Sequence, residues 1–371
     1  MAHETAQILP WIGLNCIPGV GRATFRKLVG RFGSPGRVLD ASEDELSEQG
    51  GVSGKVAREI TTHPWREFAE QELAKARSAG VSIITESDPA YPPALRSAPD
   101  APLFLYVRGG LLPQDHAAVA IVGTRTPTHY GLTVTHRMAY ELAAAGLTVV
   151  SGLARGIDTQ AHKGALDARG RTIAVLGCGI DVPYPPENRA LIERIAAAGA
   201  VVTENPFGTR PEGGYFPARN RIISGLSAGT VIIEASADSG SLITADYTLK
   251  QGRTLFAVPG NVGSPTSRGP NSLIKQGAVL VETSRDVLNI LGGASAAPSA
   301  QRAAAPLPQL TDEERKVFAA VTGEPKHIDV LLAESGSVPG RLGGILTTLE
   351  LTGLIRQLPG KYFVRDRGTR E

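Results

Sequence analysis

Between residues 117 and 292, short apolar runs rich in β-branched residues alternate with segments of helical periodicity. The helical segments include residues 133–145 and 187–198. Short runs that are apolar throughout are typical of parallel strands covered by helices on both faces. The region therefore predicts an α/β fold around a mostly parallel sheet, with strands expected at 117–122, 148–151, 172–176, 200–203, 231–235, 254–258 and 279–281.

Three glycine-rich turns follow three of these predicted strands. They contain Gly123, Thr124 and Arg125; Ser151, Gly152, Arg155 and Gly156; and Ser239, Gly240 and Ser241. Ligands of parallel sheets bind at the carboxyl ends of the strands, where backbone N–H groups and helix N-termini attract anions. The turns therefore predict a phosphate-binding site, to which Arg125 and Arg155 add fixed charge.

Basic and amide side chains on the helices extend this pattern. Arginine forks beside backbone N–H groups suit successive phosphates of a nucleic acid. Tyr215 and Phe216 are candidates for stacking on bases. Lys250 has a second interpretation, in which it complements a helix dipole. Lys275 also has one, in which it is an ordinary solvent-exposed side chain. The candidate contacts on helices are Lys163, Arg219, Asn220, Arg221, Lys250 and Lys275.

The flanking regions predict two further domains. Residues 1–81 are helical and contain glycine turns at 17–21 and 50–55, which favours a helix-hairpin-helix/SAM-like domain. Those glycines either hold DNA phosphates or only form turns. Residues 82–292 form the predicted sheet domain, and 293–310 are an Ala/Pro/Ser-rich linker. Residues 311–371 predict a winged helix, whose third helix offers only Arg341, so duplex binding and a packing role both stay open.

Several chemistries are excluded by their missing motifs. The run Gly177-Cys178-Gly179 lacks the third glycine of a dinucleotide loop, and Gly54-Lys55 lacks the remainder of a P-loop. Asp158 and His162 lie one helical turn apart and fit either acid–base work or helix packing. We therefore expect no enzyme activity, catalytic residue, cofactor or metal site.

Composition limits the compartment and the partners. Two distant cysteines, Cys16 and Cys178, argue against a disulfide framework and fit a reducing cytoplasm. The sequence shows no signal peptide and no apolar stretch of about 18 residues, so no membrane association is expected. The net charge of +2 requires any nucleic-acid surface to be local.

The ordered motifs at 120–125, 151–158, 173–177, 216–223, 234–242, 256–260 and 271–274 resemble those of the DNA-processing protein A family (DprA/Smf). The resemblance spans roughly residues 85–290. It implies an extended Rossmann-like domain that forms a homodimer, binds and protects single-stranded DNA, and loads a RecA-type recombinase during natural transformation. It also implies a binding pocket that contains Arg125, Ser151, Gly152, Lys163, Arg219, Asn220, Arg221 and the turn at 239–241.

Two other functions stay open. Phosphoribohydrolases with a related sheet use a Pro-Gly-Gly-x-Gly-Thr loop followed by a glutamate, whereas here residues 239–244 are followed by Ala245. A duplex-binding regulator would use the predicted winged helix, and the outer domains would then contact duplex DNA.

Overall fold

The computed structural model describes residues 2–291, 310–352 and 354–365. The chain divides into two compact units, residues 1–296 and 297–371. Nearly all of the predicted linker, and the last residues of the predicted winged-helix domain, lie outside the described residues.

The first unit begins with six helices that pack around an apolar core including Leu14, Phe25, Leu28 and Leu46. Two glycine turns, as predicted, separate some of these helices, and Gly19 and Gly51 have positive φ angles of 85° and 58°. The helices are α1 (Ala2–Cys16), α2 (Arg22–Phe32), α3 (Pro35–Leu39), α4 (Glu43–Glu48), α5 (Gly54–Thr62) and α6 (Trp65–Ser78).

A nine-stranded sheet follows in the same unit. Its strands are β1 (Val81–Thr85), β2 (Phe104–Gly109), β3 (Ala118–Val122), β4 (Thr148–Ser151), β5 (Thr172–Val175), β6 (Ala200–Thr203), β7 (Gly229–Ile232), β8 (Thr254–Ala257) and β9 (Val279–Leu280). The strand order is β1-β2-β6-β5-β4-β3-β7-β8-β9. Strands β3 to β9 are parallel, whereas β2 pairs antiparallel with both β1 and β6. The mostly parallel sheet is thus as expected.

Helices cover both faces of the sheet. They are α7 (Pro93–Arg96), α8 (His129–Ala144), α9 (Ile157–Asp167), α10 (Arg189–Ala198), α11 (Tyr215–Gly225), α12 (Ser241–Lys250), α13 (Arg268–Lys275) and α14 (Ser284–Leu291). Alternate residues of β3 enter different cores: Ala120 belongs to the cluster of α11, and Ile121 to the cluster of α8 and α9. This two-sided burial is why β3 is apolar at every position.

One strand was missed, and several predicted strand ends differ from the structure by one to three residues. Strand β1 was not predicted, because it lies at the start of a proline-rich segment and is only partly buried. Strand β7 ends at Ile232 rather than at residue 235, and the Ala235 N–H group donates to the Thr266 carbonyl instead of a neighbouring strand.

Strand β1 also joins the N-terminal helices to the sheet, because Val81 and Ile83 lie in the same apolar core as those helices. Arg26 of α2 adds polar contacts across this junction, donating to the Ala101 carbonyl at 2.7 Å. The domain boundary at residue 81 stays a prediction, since the two regions share a core.

The second unit has the predicted winged-helix arrangement. Its elements are α15 (Asp312–Ala320), β10 (Lys326–His327), α16 (Ile328–Ser335), α17 (Pro339–Leu351), β11 (Ile355–Leu358) and β12 (Tyr362–Arg365). Strands β11 and β12 form the expected hairpin, and β10 pairs with β12. In neither unit do the described residues include a helix long and apolar enough to cross a bilayer.

Candidate nucleic-acid interface

The sheet reverses its strand order at β3. The chain proceeds from β3 to β4, β5 and β6 on one side, and then returns to place β7 on the other side of β3. Open parallel sheets bind ligands in the crevice that such a reversal leaves at the carboxyl ends of the strands. A cleft of about 680 Å³ lies at this position and contains residues from the turns after β3, β4 and β7.

We call the outer part of this crevice the cleft mouth, which consists of Arg125, Tyr184, Phe216, Asn220 and Ser239–Ser241. The Arg125 guanidinium lies 5.5 Å from the centre of the Phe216 ring, a cation–π distance. The Phe216 ring also packs against Tyr184, with 5.4 Å between ring centres. Among the described residues no carboxylate lies within ion-pair distance of Arg125, so its charge is available to an anionic ligand.

The loop that carries Arg125 is fixed on both sides. The Thr124 N–H group donates to the Glu234 carbonyl at 2.7 Å, and the Ile157 N–H group donates to the Thr124 carbonyl at 3.2 Å. The buried Glu234 side chain also accepts bonds from the N–H and hydroxyl groups of Thr128, at 2.9 and 2.6 Å. These contacts place Arg125 without any ligand.

Gly156 permits this arrangement because its backbone closely approaches the Arg125 loop. Its φ angle is 77°, and a Cβ atom there would lie 2.5 Å from the Thr124 carbonyl oxygen. The glycine therefore serves backbone packing rather than direct phosphate contact.

The turn at Ser239–Ser241 faces the cleft from the β7 side. The hydroxyls of Ser239 and Ser241 lie 2.8 Å apart, and the Asn220 amide donates to the Gly240 carbonyl at 3.3 Å. Helix α12 begins at Ser241 and has no side-chain cap. Its N-terminus therefore directs a positive dipole end towards the cleft.

We call three buried residues the cleft floor: Asp158 and Arg219, which line the cleft, and Gly152, which lines a small adjoining cavity. Arg219 is 5% exposed and donates to the carbonyls of Gly152, at 2.7 Å, and of Val175. Burial lowers the pKa of Arg219 to about 10, while nearby Asp158 raises it. The guanidinium thus stays charged at neutral pH and ties the ends of β4 and β5 together.

Asp158 accepts a hydrogen bond from the Gly152 N–H group at 3.1 Å. Burial raises its pKa to about 6, against the opposing effects of Arg219 and of backbone N–H groups from Ala154, Gly152 and Gly123. His162 is fully buried and shares a hydrogen bond with the Thr172 hydroxyl at 2.7 Å. Burial lowers the pKa of His162 to about 3, with Arg219 adding to the effect. Both residues have packing roles, which favours the structural interpretation of this pair.

The structure brings only some of the predicted residues into the cleft. Gly123, Thr124, Arg125, Arg219, Asn220, Ser239, Gly240 and Ser241 line it, and Gly152 and Arg155 line a small adjoining cavity. The Arg155 side chain is exposed but pairs with Glu187. Ser151 is buried, and its hydroxyl donates to the Ile121 carbonyl at 2.7 Å, so it offers nothing to a ligand.

Four predicted contacts lie outside the cleft. Arg221 points away from it and is buried against Glu204, 2.8 Å from one carboxylate oxygen, because residues two apart on a helix face different sides. Lys250, at the far end of α12, pairs with Asp246 at 2.7 Å. Lys163 and Lys275 are exposed, on α9 and α13, and do not line the cleft.

Sequence reasoning missed Tyr184 and Glu234. Tyr184 comes from a proline-rich loop before α10 that shows no periodicity. Glu234 lies two residues after the end of β7, and its position near a strand end was the available signal. The described residues contain no cluster of three or more side chains suited to a metal ion.

In the N-terminal helices and in the winged helix, three basic side chains near the predicted DNA-binding motifs bind groups of the protein itself. Lys27 and Arg31 of α2 bind the carbonyls of Gly51 and Gln49 in the second glycine turn. Arg341, the predicted DNA contact of α17, pairs with Glu313 at 2.8 Å. These internal contacts favour structural roles for the basic residues concerned.

The fold and cleft define a class: an α/β protein with a cleft where its strand order reverses, and with a winged helix. A family model described as DNA recombination-mediator protein A matches residues 82–292, and a DprA winged helix domain model matches residues 301–361. Protein Smf of Synechocystis sp. is 34% identical over 392 residues, covering 96% of this chain and 98% of that protein. The chain therefore belongs to the DNA recombination-mediator protein A (DprA/Smf) family.

Two solved structures are similar to this chain. The DNA processing protein A of Streptococcus pneumoniae has a TM-score of 0.66 and 32% identity, covering 77% of this chain and 97% of its own. The DNA processing protein A of Helicobacter pylori has a TM-score of 0.51 and 33% identity, covering 57% and 97%, and is described as having a unique single-stranded DNA binding mode.

Proposed function

We propose that the cleft at the strand-order reversal binds single-stranded DNA without catalysing a reaction on it. The main supporting observation is Arg125, an exposed cation that lies beside the Phe216 and Tyr184 rings at the cleft mouth. Stacking of a base on either ring requires a base that is not paired within a duplex, which favours a single strand. The similarity to the Helicobacter pylori protein supports the same ligand.

We infer a role as a recombination mediator from the family membership. The protein would protect incoming single strands during natural transformation and pass them to a RecA-type recombinase, acting as a homodimer. Hydrolysis of nucleotides is disfavoured because buried Ala245 occupies the position of the expected glutamate. Duplex binding through the winged helix is disfavoured because Arg341 is already paired.

The test compares Arg125→Ala with Lys250→Ala, which removes a cation outside the cleft. We expect Arg125→Ala to weaken binding of a labelled oligonucleotide about tenfold, since charge-assisted hydrogen bonds contribute about 1.5–3 kcal/mol. The slope of log K against log salt should become shallower by about 0.7. Lys250→Ala should match the unmodified chain.

Fluorescence anisotropy at several salt concentrations measures both effects, with a duplex of equal length as competitor. Equal binding by Arg125→Ala and the unmodified chain at every salt concentration would remove the cleft from the proposal. Preference for the duplex would favour the winged helix, and release of free base from nucleoside monophosphates would favour the hydrolase.

A further inference from the structure

The Asp158 carboxylate lies where the turns after β3 and β4 meet. The Gly152 N–H group donates to Asp158 Oδ2 at 3.1 Å. The N–H groups of Ala154, in the same turn, and of Gly123, in the other, also stabilise the charged carboxylate. Backbone N–H groups that converge in this way form an anion-binding cradle, and here a side chain of the same chain already occupies it.

The cradle has no room for a second anion. A Cβ atom on Gly152 would lie 2.7 Å from Asp158 Oδ2 and 2.6 Å from Arg219 Nη2, so the space beside this glycine is filled. Asp158 is only 6% exposed. A phosphate in the cleft must therefore bind elsewhere, and Arg125 and the hydroxyls of Ser239 and Ser241 are among the donors that line its surface.

We propose that Asp158 is a positioning residue whose carboxylate fills the cradle as an internal anion and holds the Arg125 loop ready for DNA. The link to Arg125 is short: the Gly123 N–H group, which helps to stabilise the charged Asp158 carboxylate, comes two residues before Arg125. Asp158 also belongs to α9, whose first residue, Ile157, donates to the Thr124 carbonyl. The position of Asp158 rests on its hydrogen bond to Gly152 and on its burial, whereas its effect on DNA binding rests on the proposed function.

Asp158→Ala combined with formate tests the proposal. Alanine keeps Cβ and removes the carboxylate, and formate supplies a carboxylate of the missing size. At constant ionic strength, we expect formate in place of chloride to raise the Tm of Asp158→Ala with a saturable dependence. In chloride this variant should bind single-stranded DNA about tenfold more weakly, the loss of one charge-assisted contact, and formate should restore most of that affinity.

Three controls separate positioning from general stabilisation. Asp158→Asn fills the cradle without an anion, and neither it nor the unmodified chain should respond to formate. Arg125→Ala lacks the phosphate contact itself, so formate should not restore its binding. A folded Asp158→Ala protein that shows no saturable response to formate, in Tm or in binding, overturns the proposal.

A second measurement uses the unmodified chain and so does not depend on the variant folding. The charged group facing Asp158 from α11 is Arg219, with Arg125 beyond it, and His162 on α9 stays neutral because burial lowers its pKa. In a pH titration followed by NMR, the amide signals of Gly123, Gly152 and Ala154 should move with one midpoint, and Asp158→Asn should abolish it. Independent movement of these signals overturns the cradle.

Failure of the proposed function has a different signature. In that case the unmodified chain does not bind oligonucleotides, while formate still raises the Tm of Asp158→Ala.

Discussion

The floor and the mouth of the cleft use similar residues for different purposes. Each has an arginine and a glycine turn at the end of a strand. On the floor, Arg219 and Gly152 contact each other and lie beside Asp158. At the mouth, Arg125 contacts an aromatic ring, and the N-terminus of α12 carries no side-chain cap. We infer that the floor maintains the geometry of the site and that the mouth contacts the ligand.

The largest expected difference in stability is between variants of the two arginines, Arg219 on the floor and Arg125 at the mouth. Arg219→Ala should destabilise the protein by about 3–5 kcal/mol, because it empties a buried site and removes the nearby positive charge that offsets the burial of Asp158. It also removes donors from the carbonyls of Gly152 and Val175. Arg125→Ala should change the free energy of unfolding by less than about 0.5 kcal/mol, since it removes only an exposed side chain.

Urea unfolding followed by circular dichroism measures both free energies. Equal stability of the two variants would mean that Arg219 is not part of the structural floor.

The two glycine turns give the next comparison. Gly152→Ala should cost about 1–3 kcal/mol, because its Cβ would lie within 3 Å of Asp158 and Arg219, and relieving such overpacking shifts neighbours. At Gly240 a Cβ atom would have no other atom within 4 Å, and the φ angle is −58°. The free energy of unfolding of Gly240→Ala should therefore stay within about 0.5 kcal/mol of that of the unmodified chain.

Thermal unfolding of the two alanine variants side by side is the measurement. If Gly152→Ala is as stable as Gly240→Ala, the cradle has spare room and the floor is less tightly filled than its distances indicate.

The sheet was predictable from the sequence because its parallel strands are buried on both faces. Such strands appear as continuous apolar runs, and β4 and β6 begin and end where predicted. Strand β1 was missed because an edge strand has a weaker pattern and this one precedes five prolines. The carboxyl-end location of the glycine turns also follows from sequence, since in a parallel sheet every strand ends at the same edge.

The different roles of the cleft residues could not be predicted from the sequence. Arg219 and Arg221 look alike in sequence, yet one closes the floor and the other pairs with Glu204 behind it. Which of them faces the cleft depends on the rotation of α11, and α11 buries most of its surface, so no polar stripe reveals that rotation. Likewise, free glycine N–H groups cannot be assigned to a ligand from sequence when Asp158, several residues away, accepts from them.

The dependence of stability on pH gives the most gradual predicted effect and separates two groups near the floor. The pKa of His162 is lowered by burial to about 3, so its contribution to stability is present above pH 6.5 and is lost as the pH falls. The pKa of Asp158 is raised by burial to about 6, so its contribution is present below about pH 4 and is lost as the pH rises through 6. Between pH 6 and 4 the two trends oppose each other.

Asp158→Asn removes one of these opposing trends, so its stability should fall more steeply than that of the unmodified chain as the pH falls from 6 to 4. The difference in slope should approach, at most, about 1.4 kcal/mol per pH unit, the free energy of one proton bound differently by the folded and unfolded states. Urea midpoints at pH 6.5, 5.5 and 4.5 measure it. Parallel curves would show that Asp158 takes up no proton in the folded protein over this range. The carboxylate would then hold its cradle as a permanent anion, which would strengthen the contrast with the mouth.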